Sequence, residues 1–105
     1  MAEVIWTDNA LDDLNDIGEF IAKDSERYAQ VTVLKLFTAV DILEYYPKKG
    51  FMVPELRDET IRQLKVDNYR IVYQFLEDIR LVTILTVHYS SRLISSTRYF
   101  RSKKT

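Results

Sequence analysis

From Glu3 to Trp6 the chain opens with a short run of strand formers. Thr7-Asp8 follows, and either residue can cap a helix by accepting a backbone N–H bond. Ala10, Leu14, Ile17 and Ile21 then recur at helical spacing, while Asp12, Asp13, Asp16 and Glu19 occupy the other side. Lys23-Asp24-Ser25 breaks the pattern and leaves Ser25 to cap a second helix. Its apolar stripe is Ala29, Val33, Leu36, Val40 and Leu43, widened by Phe37. Pro47 to Gly50 closes it, since proline cannot continue a helix and glycine tolerates the turn. Two amphipathic helices joined by a short break predict an antiparallel hairpin with one shared buried face.

From Thr60 the period becomes that of a strand. Ile61–Val66, Tyr69–Leu76 and Leu81–His88 are rich in β-branched and aromatic residues. Asp67-Asn68 and Glu77-Asp78 between them are turn-prone pairs that suit tight hairpins, so a three-stranded antiparallel meander is expected. In the middle run Tyr69, Ile71, Tyr73 and Phe75 share one face and pack on the helices. Arg70, Val72 and Gln74 share the other, which this reading leaves partly open. The predicted class is α+β, an N-terminal strand and helical hairpin packed on an antiparallel sheet in the order β-α-α-β-β-β. Residues 92–100 read as a weak helix or an irregular arm.

Composition narrows the possibilities. A length of 105 residues fits one domain, and 47% hydrophobic with 30% charged residues is neither a disordered nor a membrane composition. No apolar run approaches the roughly 20 residues needed to span a bilayer. Glu3 and Asp8 stand where a signal peptide would be basic or apolar, and there is no cysteine for a disulfide, a thiolate metal site or a nucleophile. A cytoplasmic location is the expectation. The net charge of −1 hides an asymmetry: the first 59 residues carry 13 acidic and 6 basic side chains, the remainder 3 acidic and 9 basic. The basic arm over 92–105, with Arg92, Arg98, Arg101, Lys103 and Lys104, permits an anionic partner; its last five residues read as a solvated tail.

The order of segments is less specific than the residues in them. Val53-Pro54-Glu55-Leu56-Arg57-Asp58 leads into Ile61-Arg62-Gln63-Leu64. Asn68-Tyr69-Arg70-Ile71-Val72-Tyr73 follows, then Ile84-Leu85-Thr86-Val87-His88, with Arg92 four residues beyond. With Trp6-Thr7, Ala10, the Ser25-to-Ala29 helix start and Pro47 to Gly50, this succession resembles the ParE branch of the RelE/ParE toxin superfamily as far as about Leu93. The resemblance implies a single toxin domain over 1–105. It would block growth when free and be silenced in a hetero-oligomer with a cognate antitoxin. ParE-like toxins usually bind DNA gyrase and trap it on DNA; RelE-like relatives cleave messenger RNA in the ribosome.

Metal-free cleavage through the 2′-hydroxyl needs a base, an acid, and cations for the phosphate charge. Arg70 matches a strand arginine of the RelE-like nucleases. Their lysines on the preceding strand match Ile61 and Gln63 here, and their second arginine and terminal tyrosine fall on Ser90 and Ser96. His88, with Tyr89 and Arg92, forms the candidate nuclease set alongside Arg70, because histidine titrates near neutrality. Against it stand the missing cations and a pI near 5.8, unlike the footprint of a protein that grips RNA. The reading therefore favours a binding inhibitor of gyrase without a catalytic residue, with a ribosome-dependent endoribonuclease as the alternative. Arg62, Arg70, Val72, His88, Arg92 and Arg98 are the candidates for contact with antitoxin or target. In this reading Val72 and the Leu81–Val87 run form the antitoxin groove. Arg62 alternates with Leu64 and Val66 and is expected at the core's edge, paired with Glu55 or Glu59. Tyr69, Tyr73 and Trp6 are assigned to the core, and Tyr45-Tyr46 to the surface. No spacing suits a metal or nucleotide, and no cofactor is expected.

Overall fold

The computed structural model describes residues 1–91 and residue 99. It is mixed α+β. Strand β1 (Glu3–Trp6) is followed by helices α1 (Asp8–Ala22) and α2 (Glu26–Ala39), a 3-10 turn over Val40–Glu44, and strands β2 (Phe51–Met52), β3 (Ile61–Val66), β4 (Tyr69–Leu76) and β5 (Leu81–Tyr89). The predicted caps form. Thr7 Oγ1 accepts from the Ala10 N–H at 3.0 Å, and Ser25 Oγ accepts from the Tyr28 N–H at 3.1 Å, each meeting a donor that the first helical turn leaves open. The helical stripe runs on to Leu43 as expected, but the α-helix stops at Ala39. The tighter 3-10 turn then buries Val40 and Leu43, three residues apart, on one side.

The sheet is wider than a meander. Five strands lie in the order β1-β5-β4-β3-β2, antiparallel except for β1 on β5, which pair in parallel from Glu3↔Leu81 to Trp6↔Ile84. The N-terminal strand is present as expected, but its partner at the far end of the chain has no local signal, and neither has β2, which is two residues long. Asp67-Asn68 makes the expected two-residue hairpin, with Asp67 at φ 53°. The second hairpin needs four residues, Glu77 to Arg80, with Arg80 rather than the Glu77-Asp78 pair taking the positive φ.

One face of the sheet carries the main core. Tyr69, Ile71, Tyr73 and Phe75 pack there with Val82, Ile84 and Val87 against Ala10, Leu14, Leu36, Val40 and Leu43, as β4 parity required. Trp6 packs at the margin of this core and stacks on Phe37, with ring centroids 5.3 Å apart. The opposite face is not open. Val53, Ile61, Val72 and Leu85 form a second small core covered by Leu56 and Tyr99. Val72 is therefore fully buried, and the groove expected from it and β5 is filled by the chain's own loop. That loop is shaped by Arg57 at φ 50° and by Asp58 Oδ1, which accepts from Thr60 N at 2.9 Å and Thr60 Oγ1 at 2.6 Å. Those bonds from Thr60, the hydroxyl first, favour the charged carboxylate and hold Asp58 below the usual carboxylate range.

Candidate functional site

Paired residues of neighbouring strands share a face, so register decides which side chains meet. Arg70 lies opposite Lys65 on β3 and opposite His88 on β5, giving a row Lys65–Arg70–His88 across three strands on the second-core side. Gln63 stands one pair along the same side of β3, opposite Val72. Lys65 carried no sequence signal of its own, because its place beside Arg70 follows only from the hairpin register.

His88 reaches this row through an irregularity. Val72 pairs with Thr86 but Tyr73 pairs with Ile84, so Leu85 is an extra residue in β5, a β-bulge. Val82 and Ile84 face the helices. Strict alternation from them would send Thr86 and His88 to the helix side too. The bulge reverses the parity and turns His88 toward Arg70.

The guanidinium of Arg70 is held rather than presented. Its Nη1 donates to Gln63 Oε1 at 3.1 Å and meets Glu55 Oε2 at 3.4 Å. The residue is 8% exposed, so its face is more covered than the alternation suggested. Desolvating a guanidinium is costly unless its donors are met, and Glu55 and Gln63 meet part of that need. His88 is buried to the same degree, at 5%. Tyr99, which the sequence reading did not single out, packs on the second core close by.

The structure separates other members of the expected set. Tyr89 pairs with Tyr69 and stacks on it at 4.8 Å, so it lies on the helix side, away from His88 and Arg70. Arg62 does not bond Glu55 or Glu59. Its Nη1 donates to the Gly50 carbonyl at 3.0 Å and, more weakly, to that of Lys48 at 3.4 Å, because Glu55 is turned to the opposite face where Arg70 lies. Arg92, Arg98 and the arm over 92–105 (Tyr99 apart) lie outside the described residues. Tyr45 and Tyr46 are exposed, as read. Among the described residues, no group of three or more His, Cys, Asp or Glu stands together as a metal set, and no helix is long and apolar enough to cross a membrane.

An exposed apolar surface lies on the helical hairpin. A groove of about 630 Å³ runs between α1 and α2, lined by Gly18, Ala22, Ala29, Val33, Leu34 and Phe37 among others. Gly18 lets the helices close up, since a Cβ there would stand 3.0 Å from Val33 Cγ2. Leu34 is 62% exposed, and Phe37, which also lines the groove, is exposed too.

Comparison with known proteins agrees with this architecture. Residues 4–94 match the family model described as the ParE toxin of type II toxin-antitoxin system, parDE. Toxin RelE2 of Caulobacter vibrioides is 37% identical over 93 residues, covering 89% of this chain and 100% of that protein. Putative toxin Y4kP of Sinorhizobium fredii is 34% identical over 85 residues, covering 79% of this chain and 85% of its own. Among solved structures, the chromosomal ParDE TA system from P. aeruginosa superposes with a TM-score of 0.70 at 18% identity, over 85% of this chain and 96% of that one. The intact E. coli RelBE toxin-antitoxin complex gives 0.55 at 16%, over 88% and 100%. At those identities the structural matches speak for the fold.

Proposed function

Because the chain belongs to the family of ParE toxins of type II toxin–antitoxin systems, we propose that it arrests growth by binding DNA gyrase and is silenced by a cognate antitoxin. The observation that carries the choice of gyrase over RNA is the state of Arg70. A phosphodiester cleaved without metal needs cations that reach its developing charge. Here the arginine on the relevant strand is buried and tied to Gln63 and Glu55, and His88 beside it is equally covered. These groups hold the second core together and shape the surface above it. A toxin that acts by binding needs no more of them.

The antitoxin surface in this reading is the groove between α1 and α2. With the sheet face filled by Val53, Leu56 and Tyr99, the hairpin offers the apolar area for an amphipathic segment of a partner. The solved neighbours include toxin–antitoxin complexes, which supports a protein partner of that kind.

One observation favours the second reading, a ribosome-dependent endoribonuclease. The row Lys65–Arg70–His88 places an exposed lysine and a histidine on either side of the arginine, with Tyr99 on the same side of the sheet. Purified gyrase and programmed ribosomes separate the two. The gyrase reading expects loss of supercoiling at stoichiometric toxin and intact ribosome-bound messenger RNA. Cleaved messenger with unimpaired supercoiling, abolished by His88→Ala, would establish the other.

A further inference from the structure

The bulge that turns His88 toward Arg70 lies where β5 loses its outer neighbour. Strand β1 ends opposite Ile84, and beyond that point, among the described residues, no strand lies on that side of β5. Side chains from the start of α1 take the strand's place. Thr7 Oγ1 donates to the Ile84 carbonyl at 2.8 Å, and Asn9 Nδ2 donates to the Leu85 carbonyl at 3.0 Å. Asp13 Oδ2 accepts from Thr86 Oγ1 at 2.6 Å and from the Val87 N–H at 3.0 Å, and Asn9 Nδ2 leans on the same oxygen at 3.3 Å.

We propose that Asp13 is a positioning residue: by clamping Thr86 and Val87 it fixes the bulge at Leu85 and so delivers His88 to the face that carries Arg70. A bulge leaves one residue out of the ladder, and a strand freed of it would regain pairing by slipping one residue. The slip would carry His88 into the apolar side under the helices, opposite Tyr69, and bring Val87 opposite Arg70 in its place. Asp13 opposes it with a carboxylate oxygen that takes two donors of β5 at once, one of them the main-chain N–H following Thr86. A charged acceptor of this kind makes the stronger class of hydrogen bond. Asn9 adds to this by holding the Leu85 carbonyl. The outcome is that the first two turns of α1, on one side of the molecule, set the composition of the opposite sheet face.

The inference rests on the toxin reading only for its effect on growth; the geometric claim stands apart from it. Asp13→Leu removes both acceptor contacts, whereas Asp13→Asn keeps a side-chain oxygen for the Val87 N–H. In the labelled full-length protein, Asp13→Leu is expected to lose the NOEs between His88 and Arg70 and to move the His88 ring shifts. Asp13→Asn should retain those NOEs. Thr86→Val, which removes the shorter contact from the strand side without changing volume, should give a partial shift, and decides the matter if Asp13→Leu does not fold. Unchanged His88–Arg70 NOEs and ring shifts in Asp13→Leu, or in Thr86→Val where the former is unfolded, overturn the proposal. Growth arrest is scored in parallel. If Arg70→Ala and His88→Ala both leave arrest intact, the functional reading of that face fails while the NOE result still judges Asp13.

Discussion

Gly50 and Tyr73 meet so closely that a change at either is costly: the Gly50 N–H donates to Tyr73 Oη at 2.9 Å, and a Cβ on Gly50 would stand 2.7 Å from that oxygen. The same Cβ would lie 2.6 Å from the Gln63 carbonyl, which is backbone and cannot move aside. Tyr73 Oη in turn donates to the Pro47 carbonyl at 2.8 Å, so one buried hydroxyl ties the end of the helical region to the sheet. Gly50→Ala is expected to cost about 1–3 kcal/mol through overpacking. Tyr73→Phe should cost about 1–3 kcal/mol by leaving the Gly50 N–H and the Pro47 carbonyl unmet. Urea unfolding at neutral pH measures both; a loss below a few tenths for either would contradict the contact.

The buried phenols also set an alkaline limit. Burial pushes the Tyr73 and Tyr69 hydroxyls up from the ordinary tyrosine value of 10.0. For Tyr69 the neighbouring Tyr89 adds to the effect, and for Tyr73 the Gly50 N–H and Arg62 oppose it. A raised folded pKa means that the native state keeps its proton where the unfolded chain gives it up. The stability concerned is fully present below the unfolded value and falls as pH climbs above it toward the folded one. The urea midpoint should therefore hold steady up to about pH 9.5 and decline beyond. In Tyr73→Phe the starting stability is lower but the decline is shallower. A slope equal to that of the parent protein would remove Tyr73 from the account.

Arg70 and Glu55 are unequal partners. Arg70 is buried, whereas the Glu55 side chain is 42% exposed and keeps much of its hydration. Glu55→Gln is expected to change stability by less than about 1 kcal/mol. Arg70→Ala leaves Gln63 Oε1 without its donor under the second core, and about 1–3 kcal/mol of destabilisation is expected. Thermal melts of the two variants, compared at one pH, check the asymmetry; equal losses would show that the ion pair itself carries the effect.

What the sequence made legible here was local. The helical stripes from Ala10 and Ala29, the caps at Thr7 and Ser25, and the alternation of Tyr69, Ile71, Tyr73 and Phe75 all rest on neighbours within a few residues, and all appear in the structure. What local pattern does not specify depends on distant partners. Strand β1 was expected as a strand, but its parallel partner β5 lies across most of the chain, and the bulge that turns His88 is held by Asp13, 73 residues from Thr86. Alternation alone would have put His88 under the helices. Arg62 was read as paired with an acid and Arg70 as standing on a partly open face, but only the strand faces tell which of the two Glu55 can reach. Val72 looked available because the segment from Val53 to Leu56, which covers it, has no regular pattern to announce its course.

The apolar groove between α1 and α2 supplies the sharpest test of the partner surface. Leu34 stands 62% exposed at its rim, so a charge there has little folded structure to disturb. Leu34→Asp should shift stability by no more than about 0.5 kcal/mol, the ordinary range for a surface change. An amphipathic antitoxin segment lying in the groove would have to desolvate the new carboxylate, which has no counter-charge provided for it. Affinity for the antitoxin is expected to fall at least about tenfold, equivalent to 1.4 kcal/mol. Growth arrest by the free toxin should persist, because the groove and the Arg70 face lie on opposite sides of the sheet. The readout is isothermal titration with the purified antitoxin beside induction in cells that lack it. Unchanged affinity would move the antitoxin off the hairpin, and lost arrest with normal folding would mean that target and antitoxin compete for the same groove.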